Sequence, residues 1–545
     1  MRKIYILTLV LLLSNTFLLA QITFKEADFS VQHLDNTLAI EFDNASSKDI
    51  NFKAYDAFTD REVSVSVDTN NPATYILNDI KPAQILKVNY YADSSKLIQK
   101  TNYIATASLS TGDIKVFFNH PVDTNYSQIQ NAVNLSNTLE DKLIEYINAC
   151  ATTLDIAIYN SASPSSSSGL AGAINSAYLR GVKVRVIYDG SSSSNMIPLL
   201  NSSIPLLPSP TSSAYTIMHN KFVIFDANSS NANLPLVWTG STNWTVSQID
   251  GPDKNSAIVI QDQSLALAYQ LEFNEMWGSN TLVPNTTLSK FGQYKTDNTP
   301  HNFIIGGKKV ESYFSPSDGV NSKIIASINS ANSDIDIATM LITRFDITTA
   351  LLNKYNSGLS NTNVVIDSQN PANNQIGAIQ SGLLINHAMV YSGSGIMHHK
   401  FMVVDNFNSS SDPQVVLGSH NWSTSAETKN DENTLIIHDA NITNQYFQAF
   451  AYLYQQAGGV FLPNLTTSQI SVNQMTIYPT ITSDFINISN PDNKNYSYSI
   501  YNSLGQKIQS DFTSSKIDLS NNSKGLYFIN LSLENQTKTF KVLLK

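Results

Sequence analysis

Apolar and polar residues change rhythm four times along this chain. After an apolar leader, residues 22–105 alternate apolar and polar positions in runs such as ITFKEADFSV, LAIEFDN, VSVSVDT and LKVNYYA. Alternation of period two puts successive side chains on opposite faces, and Asp, Asn and Pro clusters separate the runs. The segment therefore predicts the short strands of a small β-sandwich over residues 21–105. From about residue 110 the period lengthens. TLEDKLIEYINAC carries apolar residues at helical spacing, with Thr138 as its expected N-cap and Asp141 three residues on. LDIAIY follows as a strand, GLAGAINSAYLRG as a helix and VKVRVIYDG as a strand. Strands alternating with helices predict an α/β domain.

That order then repeats. IKVFF at 114 is echoed by VESYF at 310, LDIAIY at 154 by IDIATM at 335, and VIYD at 186 by VVID at 364. Residues 217–226 read IMHNKFVIFD and residues 396–405 read IMHHKFMVVD; GSTNW at 240 returns as GSHNW at 418. A near-constant offset over five phrases implies one duplicated domain, with lobes over 110–290 and 305–460, and not a short-period solenoid. From 472 to 545 short alternating strands with Asn, Ser and Gly turns predict a second small β-sandwich.

Composition narrows the class. The 545 residues are 42% hydrophobic, ample for packed cores, and the formal net charge is −10. Such a balance leans against a long basic surface for duplex nucleic acid. Residues 1–20 combine Arg2 and Lys3, an apolar run and small Ala20, the pattern of a cleaved signal peptide. The apolar part is short and interrupted by Ser14, Asn15 and Thr16, which disfavours a membrane anchor. The single cysteine, Cys150, excludes an intramolecular disulfide and is expected in a core.

The repeated phrase carries the chemistry. In a strand, His219 and Lys221 share a face, as do His398 and Lys400. Asp226 and Asp405 fall out of parity and are expected at the strand ends, holding backbone or a cation. Core strands seldom bring His and Lys together on one face, because a buried lysine needs a partner. The doubled H-x-K-x4-D phrase, each copy followed by G-S-x-N-W, resembles the paired motifs of the phospholipase D superfamily over about 350 residues. The resemblance implies two α/β lobes meeting at one site and metal-independent phosphodiester cleavage through a phosphohistidine. It makes His219, Lys221, Asp226, His398, Lys400 and Asp405 the catalytic set. Lys221, Lys400, Asn243 and Asn421, with the hydroxyls of Ser241 and Ser419, are expected to hold the phosphate oxygens, and no cofactor or metal is expected. A zinc site on His398, His399 and His420 is disfavoured, because Asn220 and Thr242 stand at the matching positions of the first copy.

The copies differ beyond the motifs. Glu432, in ETKNDENTLII, resembles the family carboxylate that orients a motif histidine. Set against GPDKNSAIVI, it aligns with Lys254, with Asp253 one position earlier. On that alignment a carboxylate would stand near His398 and a lysine near His219. His219 is accordingly expected as nucleophile and His398 as acid and base. The last 70 or so residues resemble a type IX secretion sorting domain, through Tyr478-Pro479, Asn487, Leu504-Gly505, Gly525-Leu526-Tyr527 and the closing FKVLLK; Thr480-Ile481 departs from the usual Asn-Pro. The expectation is a monomeric phospholipase D, exported through the periplasm to the cell surface or medium and met by secretion machinery at its C-terminal domain. Its substrate would be phospholipid at a membrane surface. A nuclease acting on the same phosphodiester chemistry is the nearest alternative, and an inactive surface-binding protein the second. The loops at 161 (SASPSSSSG) and 188 are expected to set specificity.

Overall fold

A computed structural model of the chain describes residues 23–34, 37–43, 51–91, 99–161, 169–192, 194–212, 215–368, 374–384, 386–461, 476–489, 495–503, 505–533 and 536–545. The leader and most of the serine-rich loop after residue 161 lie outside the described residues. Two compact units divide the chain, residues 1–460 and 461–545.

The first unit begins with a five-stranded and a four-stranded sheet that enclose one apolar core. Phe29, Phe42, Phe52, Tyr75 and Tyr90 meet there largely edge-on or tilted, the arrangements that aromatic quadrupoles favour. This sandwich is tied to both lobes. Thr106 O accepts from Ser264 Oγ at 2.7 Å, and Glu26 accepts from Asn302 at 2.8 Å.

Two eight-stranded mixed sheets follow, and seven strands of each share one topology. In the first, strands Thr153–Ile158, Lys183–Tyr188 and Leu206–Pro208 run parallel. Lys221–Phe225, Leu236–Gly240, Ser256–Ile260 and Ile114–Phe118 extend the sheet antiparallel on the other side. The second repeats this order with Ile335–Thr339, Thr362–Asp367 and Ala388–Tyr391, then Lys400–Val404, Gln414–Gly418, Glu432–His438 and Lys308–Ser315. Near-continuous burial of the central strands explains why they read as apolar runs without alternation.

Helices Leu139–Ala149 and Leu170–Leu179 bury Leu143, Ile147, Ile174 and Ala177 against one face of the first sheet. Thr138 precedes the first helix but makes no side-chain cap; Asp250, from a distant loop, accepts from Glu140 N instead. Cys150 is buried in this core, and burial raises its thiol well above the ordinary range. The opposite face is covered by helix Gln263–Trp277, capped by Asp262 and ended by Gly278 in the left-handed region. Helix Ala440–Gln456, capped by Asp439, covers the matching face of the second lobe and reaches strand Ile114–Phe118 of the first. Aromatic edges of Phe222, Tyr269 and Phe314 on one side, and Phe118, Tyr446 and Phe401 on the other, close the seam between lobes.

The second unit consists of a three-stranded and a five-stranded sheet around Ile486, Ile500, Ile517, Ile529 and Val542. The fold is thus two duplicated α/β lobes with small β-sandwich domains at either end.

Candidate active site

The two motif phrases meet at the seam. His219 lies two residues before strand Lys221–Phe225, and His398 two before strand Lys400–Val404. Each lysine reaches back so that Nζ donates to the carbonyl of its own histidine, at 2.7 Å in both lobes. All four side chains are buried. Asp189, at the end of the VIYD strand, accepts from Met218 N at 2.8 Å; Asp367, ending VVID, accepts from Met397 N at 2.6 Å. These carboxylates set the approach of each histidine. The repeat of VIYD and VVID was the signal for them, and their role was not read from it.

Support for each histidine comes from the opposite lobe. His219 N donates to Asp431 O and His398 N to Lys254 O, both at 2.9 Å, so the same contact is made twice across the seam. Side chains follow the backbone. Glu432 Oε2 meets His219 Nδ1 at 2.7 Å, whereas His398 Nδ1 meets Asn255 Oδ1 at 3.0 Å. The aligned pair is therefore Asn255 and Glu432, not Lys254 and Glu432. Strand pairing agrees, since Gly240 opposes Ala257 and Gly418 opposes Thr434. The expectation of a carboxylate beside His398 is overturned, and His219 does have a carboxylate partner. Asp253 orients neither ring; its Oδ1 accepts from Ile396 N at 2.8 Å, steadying the segment that leads to His398. Lys254 directs its ammonium to the carbonyls of Pro252 and Ser394.

The serines of the G-S-x-N-W phrases build the support, while Asn243 Oδ1 and Asn421 Oδ1 are buried with no hydrogen-bond partner among the described residues. Gly240 (φ 146°) and Gly418 (φ 149°) sit where a Cβ would lie 2.3 Å from Ser256 O and 2.1 Å from Asn433 O. This close crossing lets Ser241 Oγ donate to Asn255 Oδ1 at 2.9 Å and Ser419 Oγ to Glu432 Oε2 at 2.7 Å. Each hydroxyl also accepts from the next strand's backbone. Ser241 and Ser419 are thus committed to Asn255 and Glu432, a correction to their expected phosphate contact. Asn243 donates to Gln248 Oε1 at 2.8 Å. Trp244 and Trp422 belong to the lobe cores.

Asp226 and Asp405 lie at the far ends of their strands, seven residues from the histidines, or roughly 20 Å at the usual strand rise. Both have left-handed backbones, with φ of 51° and 57°. Asp226 accepts from the backbone N–H groups of Ala151, Thr152 and Thr153 and from the Thr152 hydroxyl. Asp405 accepts from Asn332 N, Ser333 N and the Ser333 and Ser411 hydroxyls. They clamp the turn that enters the neighbouring strand, so their expected place in the catalytic set is corrected to a backbone role.

Burial dominates the electrostatics. It holds His219 below the ordinary imidazole range, with Lys221 and Lys400 adding to the effect, and does the same to His398 with Lys400, Lys221 and His219. It lowers Lys221 to about 7, against the pull of Glu432 and Asp189, and lowers Lys400 as well, helped by Lys221. Burial raises Glu432, while Lys221 pulls it back. Two crowded ammonium groups facing one carboxylate make a site that an anionic phosphodiester would relieve.

The remaining imidazoles do not converge on His398. His399 Nε2 meets His120 Nε2 at 2.7 Å across the seam, and His420 Nδ1 meets Ser315 Oγ at 2.9 Å. Among the described residues, the one metal-like cluster is Asp297, His301 and Asp318. Against the effect of burial, the two carboxylates raise His301 to about 9, so its imidazolium supplies the cation there.

The chain is similar to known proteins over its two lobes and its C-terminal segment. A family model described as a cardiolipin synthase, PLD-like domain matches residues 143–277 and again 324–454. A second, described as a secretion system C-terminal sorting domain, matches residues 476–545. The mitochondrial cardiolipin hydrolase of Xenopus tropicalis is 33% identical over 128 residues, covering 23% of this chain and 54% of that protein. That of Xenopus laevis is 30% identical over 139 residues, covering 25% and 60%. The chain thus spans little more than half the length of these relatives. Among solved structures, Nuc from Salmonella typhimurium, a phospholipase D family member, is 26% identical, with a TM-score of 0.24, over 27% of this chain and 95% of that one. A phosphatidylserine synthase from Haemophilus influenzae is 13% identical, with a TM-score of 0.40, over 62% and 87%.

Proposed function

The chain carries the paired lobes of the phospholipase D superfamily and a C-terminal secretion sorting domain, and from that premise we propose an exported, metal-independent phospholipid phosphodiesterase. Its reaction cleaves the head-group ester to phosphatidic acid and an alcohol. The observation that carries the reading is the unequal support of the two histidines. Glu432 accepts the Nδ1 proton of His219, which leaves the Nε2 lone pair free to attack phosphorus. As the N–P bond forms, the ring becomes cationic and the carboxylate stabilises it. Asn255 Oδ1, kept in place by the Ser241 hydroxyl, offers His398 only a neutral partner. A proton on His398 Nε2 is then held weakly and passes to the leaving alkoxide as the P–O bond breaks. In the second half, water attacks phosphorus, His398 takes its proton, and the N–P bond breaks to restore His219. Lys221 and Lys400 supply the positive charge that a metal would otherwise bring. His219 remains the proposed nucleophile, for a different reason from the alignment that first suggested it.

Phospholipid is favoured by the cardiolipin-type family match and by the acidic balance of the chain, which is poor in the basic residues that dominate duplex binding. The sorting domain supports export, with delivery to the surface or medium. The test is a side-by-side assay on phosphatidylcholine and cardiolipin vesicles, plasmid and single-stranded DNA, all with EDTA. Vesicle turnover with acid-labile phosphate trapped on His219 is expected. Cleavage of DNA without lipid turnover would move the function to the nuclease reading, and loss of all activity with EDTA would end the metal-free mechanism.

A further inference from the structure

An open pocket of about 490 Å³ lies beside the segment that bears His219. None of its ten lining residues is charged; Leu207, Pro208, Pro210, Tyr215 and Phe291 give it an apolar wall, with Thr286 among the hydroxyls at its edge. Its place next to the chemistry follows from two anchors. On one wall, Ser209 Oγ donates to Asp189 Oδ2 at 3.3 Å, and the same oxygen accepts from Met218 N at 2.8 Å. On the other, Gly292 N donates to Asp431 Oδ1 at 2.7 Å, and Asp431 pairs through its backbone with Ile217 O and His219 N. Both walls are therefore fastened to Asp189 and Asp431, the residues that fix the three positions ending in His219. The inter-lobe segment that contributes Thr286, Ser289 and Phe291 also carries Leu282, Val283, Leu288 and Tyr294 in the open, with Val283 70% and Leu288 62% exposed. Large apolar side chains exposed along the segment that walls a neutral pocket are costly in water and characteristic of contact with another apolar phase.

We propose that this pocket holds the acyl-glycerol part of a phospholipid, and that residues 282–294 are the edge by which the enzyme meets the bilayer. The inference rests on the phospholipid reading above. The occupant follows from the pocket's lining and its place beside the reacting centre: the leaving alcohol departs toward His398, opposite the attacking His219, and the group retained on phosphorus lies across that axis, free to enter a cavity next to the His219 segment. For a phospholipid cut at its head group, that retained group is the diacylglycerol. A lining without a charged residue suits the diacylglycerol better than a second phosphate or a charged head group.

The test compares turnover of phosphatidylcholine vesicles with turnover of soluble bis(p-nitrophenyl) phosphate by the full chain, with vesicle sedimentation alongside. The variants are the exposed pair Val283→Asp/Leu288→Asp and the pocket-filling Thr286→Trp. The vesicle-to-soluble rate ratio is expected to fall at least fivefold in each, with weaker sedimentation for the double variant. Smaller falls in both overturn the proposal. A fall confined to the double variant overturns the role of the pocket and leaves only docking. A fall confined to Thr286→Trp overturns the docking edge. A wild-type chain that cleaves the soluble diester yet neither binds nor cleaves vesicles would overturn the phospholipid reading and this inference together.

Discussion

Replacing Glu432 with Gln tests the division of labour between the histidines most directly. Gln keeps an oxygen that can accept the His219 Nδ1 proton, so the ring stays oriented while the charge is removed. In the resting site the loss is small, because His219 is neutral. As the N–P bond forms, the ring turns cationic, and the 2.7 Å contact becomes an ion-paired hydrogen bond. Hydrogen bonds to charged groups contribute about 1.5–3 kcal/mol. At 1.36 kcal/mol per factor of ten, that corresponds to a loss of about 10- to 150-fold. Because the interaction grows only along the reaction, kcat and kcat/KM should fall together with KM little changed.

The partner experiment is Asn255→Asp, which gives His398 a carboxylate. A carboxylate raises the pKa of the ring it faces, so His398 should stay protonated to higher pH and become a weaker acid. The expected result is a loss below tenfold and a basic limb of the rate profile moved upward by about one pH unit. Single-turnover assays with acid-labile phosphohistidine trapping separate the two cases. A Glu432→Gln rate within threefold of wild type refutes the electrostatic argument. Equal losses in the two variants, or phosphate trapped on His398, refute the assignment of roles.

Burial lowers Lys221 to about 7, so its positive charge is lost as pH rises through that value; kcat/KM, which reads the free enzyme, should fall above about pH 7, and a flat profile to pH 9 would contradict this. Asp226→Ala strips the acceptor from three backbone N–H groups and should cost about 3–5 kcal/mol, read as a lower Tm. Asp226→Asn should be milder, with kcat of the folded enzyme within tenfold of wild type, as a backbone role requires. Asp336 stands where the first lobe has the Asp155–Arg185 ion pair, but faces Asn363, and burial raises its pKa well above the ordinary value. Its folded state therefore holds a proton that the unfolded chain gives up above about pH 4, so its contribution to stability falls as pH rises. Asp336→Asn should raise Tm more at pH 8 than at pH 5, and an equal shift at both would refute the neutral carboxyl.

The duplicated lobes and the paired His-Lys phrases were legible because both are local patterns repeated in one chain. The partners of the histidines were not, because they are contacts between lobes, 213 residues apart for His219 and Glu432 and 143 for His398 and Asn255. The error was one position wide. Counting forward from G-S-x-N-W pairs Lys254 with Glu432, but the loop of the first lobe is one residue longer. Counting back from the strand endings IVI and LII pairs Asn255 with Glu432, as the sheet does. In extended chain a slip of one turns every side chain to the other face. It exchanged a lysine directed at loop carbonyls for an amide bonded to His398, and it hid the serines' commitment to holding these groups. The serine hydroxyls and Asp189 show the same limit: their partners depend on strand crossings that no single phrase contains.

Crossed support changes what the duplication means. Each lobe brings one histidine and the residue that tunes the other lobe's histidine. A change confined to the first lobe, Asn in place of Glu at 255, therefore alters the chemistry of the second lobe's His398 and leaves His219 with its carboxylate. On the proposed roles, this one difference lets the two copies serve as nucleophile and acid while both motifs keep the same residues. Neither lobe alone would retain half of the activity, because a lobe separated from its copy keeps its histidine and lysine but loses the group that sets that histidine's proton.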